Sequence, residues 1–438
     1  MNSLLLKIKT LDCRKWAVFA MLALWACTTF SIALMEIAFV CALILWAGWH
    51  IQLKGTGTFF KKKEKGACPP EIDWAFWTPL ALFFIFVLIS YFTSEYPKQS
   101  FRGIFKIAKP LLVFMMAKDL FRDTKSQKRF DCIFGATFLL VAIDCSIQYV
   151  FGKDLLRGFA AEQSGAGIRL IGPFGNFAKM ATYLVLVIPV FGMRFWNDFT
   201  CSGQRKKSLY NLALFLAGFV LLYLTRCRGP VVALVLSLGF LLVYKRWFRA
   251  LGIALLLCLA LLAAVPRNVL VHLDAEKKEQ SVVERFELWK RALDVIKAKP
   301  WTGTGINTYN VAHEKYDKEQ NWRVRGYYAH NGYLQLAAEI GLPGIFFFLL
   351  FLFMFFKKIL GSPGAIRGSS EEYMRLGLLT GLLAFLIYAA GDNNLQSPPS
   401  LMFFWFSAGI LLARQNHGEH QSRGREHGQS RGETVLSL

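Results

Sequence analysis

The chain has 438 residues, of which 55% are apolar and only 18% charged, and its mean hydropathy is +0.38. That balance excludes an ordinary soluble domain, which averages about 25% charged residues, and gives room for about a dozen spans of ~20 residues. A net charge of +22 would suggest nucleic acid in a soluble protein, but here Lys and Arg occupy short loops between apolar runs, so the excess reads as membrane topology and no nucleic acid partner is expected.

The apolar runs predict an all-α, polytopic transmembrane helical bundle of about twelve spans: 16–31, 33–50, 73–92, 101–117, 130–151, 177–195, 209–225, 229–244, 248–265, 343–356, 373–391 and 398–413. The basic N-terminus (Lys7, Lys9, Arg14, Lys15) precedes an apolar stretch far longer than a signal-peptide core, so it reads as two retained spans separated near Ser31. With both termini placed in the cytoplasm, the inside segments hold Lys61, Lys62, Lys63 and Lys65, then Lys125, Lys128 and Arg129, then Arg205, Lys206 and Lys207, then Lys357 and Lys358. The short outside loops are poor in Lys and Arg, as the positive-inside rule requires.

Between the fifth and sixth runs, 152–176 is glycine-rich and reads as an irregular outer loop. The segment 266–342 is a long outer loop between spans nine and ten, rich in Trp and Tyr, and loops of that length are usually functional. Within it Val282, Phe286, Trp289, Leu293 and Ile296 recur at helical spacing, predicting an amphipathic helix over 281–297 that ends before Pro300. Gly303 and Gly305 predict a turn, and a second helix is expected from about Tyr328 to Ile340, broken by Gly341 and Pro343. The expected organisation is therefore spans one to nine over 1–265, an outer loop over 266–342, spans ten to twelve over 343–414, and a disordered polar tail over 415–438. The tail's His417, His420 and His427 have no acidic or Cys partners at ligand spacing, and none of the nine cysteines lies in 266–344, so no disulfide or Cys-rich metal site is expected.

Charges beside or inside spans are costly unless paired or hydrated, which makes them pointers to function. Thr225-Arg226-Cys227-Arg228-Gly229-Pro230 puts two arginines in an outer turn that the charge rule would keep free of them. Arginine suits bidentate binding of phosphate, although snorkelling to lipid headgroups is the competing use. Arg285 on the loop helix is unremarkable alone. His330 stands just above a span, where it serves either a structural role or as a general base near neutral pH. Arg102, Lys106 and Lys109 recur along one face of the fourth run, as a site for an anionic group or as the lining of a hydrated groove, with Asp144 and Gln148 on the next span as candidate partners. The sequence contains no phosphate loop ending in Lys-Ser/Thr, no His-Glu-x-x-His, no Gly-x-Ser-x-Gly and no Asp-x-Asp pair, which argues against ATP-driven transport, metalloprotease or serine-hydrolase chemistry and a metal-dependent sugar transferase.

The run His330-Asn331, nine residues, then Gly341-Leu342-Pro343-Gly344 resembles the signature of the O-antigen ligase and polymerase superfamily. Its upstream elements are similar too: Thr225-x-x-Arg228-Gly229, then Arg285 with Trp289, Pro300, Gly303-x-Gly305 and Tyr309. The resemblance implies a bacterial inner-membrane glycosyl transferase with a periplasmic site. Its donor would be a glycan on undecaprenyl pyrophosphate and its acceptor lipid A–core. Arg228 and Arg285 would hold the pyrophosphate, and His330 would activate the acceptor hydroxyl. Arg226, Asn331, Tyr333, Asp392, Arg102 and Lys106 are supporting candidates, and neither cofactor nor metal is implied. An O-antigen polymerase, a protein O-glycan transferase of the same superfamily and a lipid-linked sugar transporter are the alternative readings.

Overall fold

The computed structural model describes residues 12–55, 73–164, 167–200, 203–248, 252, 275–316, 328–361 and 369–415. Its helices are α1 (Cys13–Phe30), α2 (Ile32–Gly55), α3 (Trp74–Phe92), α4 (Pro97–Leu120), α5 (Thr124–Phe151), α6 (Phe177–Thr200), α7 (Arg205–Leu224), α8 (Gly229–Tyr244), α9 (Ala275–Ala298), α10 (Tyr309–Tyr316), α11 (Gly332–Gly361), α12 (Ser370–Ala389) and α13 (398–415). A helix lies at every expected span except 248–265, of which only 248 and 252 are among the described residues; the tail beyond 415 lies outside them. Among the described residues seven helices (α2, α3, α5, α6, α7, α11 and α12) are long and apolar enough to cross a membrane.

Helix starts follow local chemistry. Asp12, Asp73, Asp123 and Ser369 each accept a backbone N–H in the first turn of α1, α3, α5 and α12, satisfying a donor that the helix leaves open. Ser31, in extended conformation, separates α1 from α2. The centre of the bundle is α12 packed against α6 and α8. Gly377 and Gly381 make the close approach of α12 to α6 possible: a Cβ would stand 2.6 Å from Val190 Cα and 2.5 Å from Leu186 O.

The loop end differs from the sequence expectation in four ways. First, 152–176 is not wholly irregular: β1 (Glu162–Ser164) and β2 (Gly167–Arg169) form an antiparallel hairpin that pairs Glu162 with Arg169. Second, α9 buries Leu288, Ala292, Val295 and Ile296, while Phe286 and Leu293 of the expected stripe are exposed. The true face is an i, i+4, i+7 row that a one-residue rotation of the stripe conceals. Third, a short helix, α10, follows the glycine turn. Fourth, α11 begins at Gly332 rather than Tyr328 and runs on past Gly341, where φ 77° and ψ 170° break its geometry.

That break explains how the loop docks. Pro343 has no N–H, so Glu339 O lacks its usual helical donor. Leu342 N–H turns away to Pro300 O (2.7 Å), which frees Ala338 O as well. The loop supplies the missing donors: Thr304 N–H reaches Ala338 O at 3.0 Å and Gly305 N–H reaches Glu339 O at 2.9 Å. A side chain at Gly341 would stand 2.4 Å from Trp301 O. The buried Glu339 carboxylate then accepts Asn307 N–H (2.9 Å), and Gln335 Nε2 donates to it at 3.2 Å. On the outer rim Lys299 and Lys315 each donate to Glu95 at 2.7 Å and hold its carboxyl down to about 2.

Candidate active site

Three segments distant in sequence meet at the loop end. The first is the turn between α7 and α8. Arg226 sits there with φ 57°, and its guanidinium lies 4.7 Å from the centre of the Tyr223 ring. Arg228 O accepts the N–H groups of Val231 and Val232, so Arg228 starts α8 and carries its exposed side chain at that helix's N-terminus. Gly229 packs on the ring of Tyr388, where a Cβ would be 3.1 Å from the nearest ring carbon.

The second segment is α9, which presents Arg285. Its Nη1 lies 3.8 Å from where a side chain at Gly391 would begin. The third is the entry to α11 with the connection after α12. Asn331 caps α11, its Oδ1 accepting Tyr333 N–H and Leu334 N–H at 3.1 Å each. Gly332 N–H donates to Asp392 O at 3.0 Å, which ties this cap to the connection. Tyr388 OH donates to the Asp392 carboxylate, and Tyr333 OH donates to Leu386 O at 2.7 Å.

His330 precedes α11 rather than lying on it. Its φ of 48° is left-handed, so the helix expected to start near Tyr328 does not run through it. Burial pushes its imidazole pKa below the ordinary 6.5, with Arg285 acting the same way and Asp392 opposing it. The Cys227 thiol is pushed up by burial, while Arg169 and Arg285 act on it to favour the thiolate and Asp392 opposes them. One local field is thus shared by the turn, α9 and the Asp392 connection. Among the described residues the side chains of Arg228, Arg285 and His330 make no hydrogen bond or ion pair within the protein.

The remaining candidates have other places. Arg226 belongs to the turn, Asn331 and Tyr333 fasten α11, and Asp392 lies inside the site. Arg102 is exposed on α4. Lys106 does not join His330: its Nζ donates to Asn307 Oδ1 (3.0 Å) and Gln396 Oε1 (3.4 Å), in the field of Glu339, beneath the docked loop. Lys109 pairs with Glu36 of α2, so the cationic face of α4 is split among separate partners. Asp144 and Gln148 do not serve that face. Asp144 accepts Leu155 and Leu156 N–H, and Gln148 Oε1 accepts Ile171 and Gly172 N–H, so both shape the loop that carries the hairpin.

Two members of this region gave no sequence signal. Tyr388 is one aromatic among many in an apolar run. Arg169 is hidden in a glycine-rich stretch, where only its position in an outer loop, away from the basic side, set it apart.

These features bring Arg285, Asp392 and His330 into one field at the loop end of a chain with seven helices, among the described residues, long and apolar enough to cross a membrane. A family model described as O-antigen ligase matches residues 212–349, so this part of the chain is similar to that family. The matched segment contains Arg228, Arg285 and His330, whereas Arg169, Tyr388 and Asp392 lie outside it. Comparison with curated proteins finds no match.

Proposed function

We propose that the chain is an O-antigen ligase that transfers a glycan from undecaprenyl pyrophosphate to a sugar hydroxyl of lipid A–core. In this reading it crosses the bacterial inner membrane twelve times with both termini in the cytoplasm, and residues 266–342 form the catalytic loop facing the periplasm. What supports the reading is that Arg285 and Asp392 both act on His330, that the turn carrying Arg228 packs on Tyr388 beside Asp392, and that none of the Arg228, Arg285 and His330 side chains has a protein partner among the described residues. Guanidinium groups left without carboxylates suit an anion supplied from outside, and their planar donors suit phosphate.

In the reaction, Arg228 and Arg285 bind the pyrophosphate and draw charge away from the sugar's C1–O bond. His330, neutral near pH 7, accepts the acceptor hydroxyl's proton as that oxygen attacks C1, and the bond to pyrophosphate breaks with its electron pair going to the phosphate oxygen. Attack opposite the leaving group inverts the anomeric carbon. The leaving group is already activated, so the chemistry calls for neither nucleotide nor metal. Exposed Val283 and Phe286 flank Arg285 and give an apolar approach suited to a prenyl chain.

The test is a lipopolysaccharide profile of a deletion strain complemented with His330→Ala. A positioned histidine base supplies about 10²–10⁴-fold, so long glycan on lipid A–core should vanish while carrier-linked polymer accumulates. Collapse of polymer length would identify a polymerase instead, and an unchanged profile would return His330 to a structural role.

A further inference from the structure

The hairpin β1–β2 is built onto the arginine turn. Leu170 N–H donates to Leu224 O at 3.0 Å, and Arg169 Nε donates to Thr225 O at 3.1 Å, so the end of β2 is stitched to the last residues before Arg226. The Arg169 guanidinium stacks on Phe177, 3.7 Å from its ring centre, which fixes its plane. Arg226 Nη2 lies 3.8 Å from where a side chain at Gly167 would begin, so the hairpin also confines that arginine. Two of the three Arg169 nitrogens, Nη1 and Nη2, make no hydrogen bond among the described residues.

A guanidinium held by one nitrogen and one ring face, with its remaining donors unengaged beside a cationic turn, is arranged for an anion. We infer that Arg169 is a further pyrophosphate-contacting residue, which stabilises the charge that appears on the leaving group. This rests on the ligase reading above. The donor is a disubstituted pyrophosphate with two ionised oxygens. When the C1–O bond breaks, its electron pair stays on the phosphate side and the departing prenyl pyrophosphate gains a third negative charge, while the proton of the acceptor hydroxyl goes to His330. Arg228 and Arg285 match the two charges of the bound donor. Arg169, brought by a separate structural element, matches the third. Its contribution is therefore larger in the transition state than in the donor complex, the condition for acceleration rather than mere binding.

The experiment uses the full chain reconstituted in liposomes, with Arg169→Ala, Arg169→Lys and Arg169→Gln beside Arg228→Ala and Arg285→Ala. We expect Arg169→Ala to lower kcat about 10- to 100-fold while donor KM stays nearly constant. Lysine should recover part of the loss. Glutamine, which can replace the bond to Thr225 O but not the charge, should not. Binding of undecaprenyl pyrophosphate should weaken in Arg169→Ala while binding of undecaprenyl monophosphate is unchanged. Glutamine working as well as lysine would make Arg169 a brace for the turn and overturn the inference. Near wild-type kcat in Arg169→Ala, with Arg228→Ala and Arg285→Ala inactive, would overturn the inference and leave the ligase reading standing. If all three alanine variants stay active, the ligase reading itself fails.

Discussion

The two ends of the helical bundle treat positive charge in opposite ways. At the end where α1 begins and α13 finishes, three arginines are matched. Arg414, only 1% exposed, bonds to Glu371 at 2.7 Å and to Asp131, Arg194 also pairs with Asp131, and Arg14 pairs with Asp123. At the loop end Arg228 and Arg285 have no carboxylate within ion-pair distance among the described residues, and the one acid between them and His330, Asp392, is engaged by Tyr388. Charge at the first end holds helices together. At the second Lys299 and Lys315 share Glu95, but Arg228 and Arg285 are left for something that is not protein.

The strongest way to break this contrast is to remove a charge from each end. Arg285→Ala or Arg228→Ala should cost transfer activity about 100-fold or more, while the melting temperature of the purified protein hardly moves, because neither side chain holds anything in place. A large fall in melting temperature for either variant would mean that the loop-end arginines are structural after all. Arg414→Ala should do the reverse. It strands the half-buried Glu371 and removes one of the two guanidinium partners of half-buried Asp131, a loss on the order of 3 kcal/mol. The melting temperature should drop by several degrees, with activity per folded molecule preserved.

The same division governs what the sequence reveals. The helical spans were legible because apolar runs mark them, and a helix lies at each expected span that the described residues cover. His330 and Arg228 stood out by their place beside spans, and Arg285 only through the resemblance to the ligase family. Other parts of the site depend on local geometry that leaves no periodic trace. Three-residue strands are too short to alternate visibly, so the hairpin and with it Arg169 escaped. The left-handed backbone at His330 cannot be read from residue type, and the helix expected from Tyr328 starts only at Gly332. The stripe on α9 failed for a third reason: Phe286 and Leu293 are apolar without being core, which in a membrane protein is no contradiction.

The finest test of the comparison concerns Asp392, the acid that the loop end does retain. If its charge serves His330, then Asp392→Asn should keep an acceptor for the Tyr388 hydroxyl and remove only the negative field. Asp392 raises the His330 pKa, so its neutralisation lowers it further below 6.5. A base is active when deprotonated, and activity is lost as pH falls through its pKa. The acid limb of kcat/KM should therefore move to lower pH in Asp392→Asn, with the remaining activity best preserved in mildly acidic buffer. A shift to higher pH would reverse the assigned sign. Complete inactivity at every pH would instead make Asp392 the proton acceptor and leave His330 to hold the substrate.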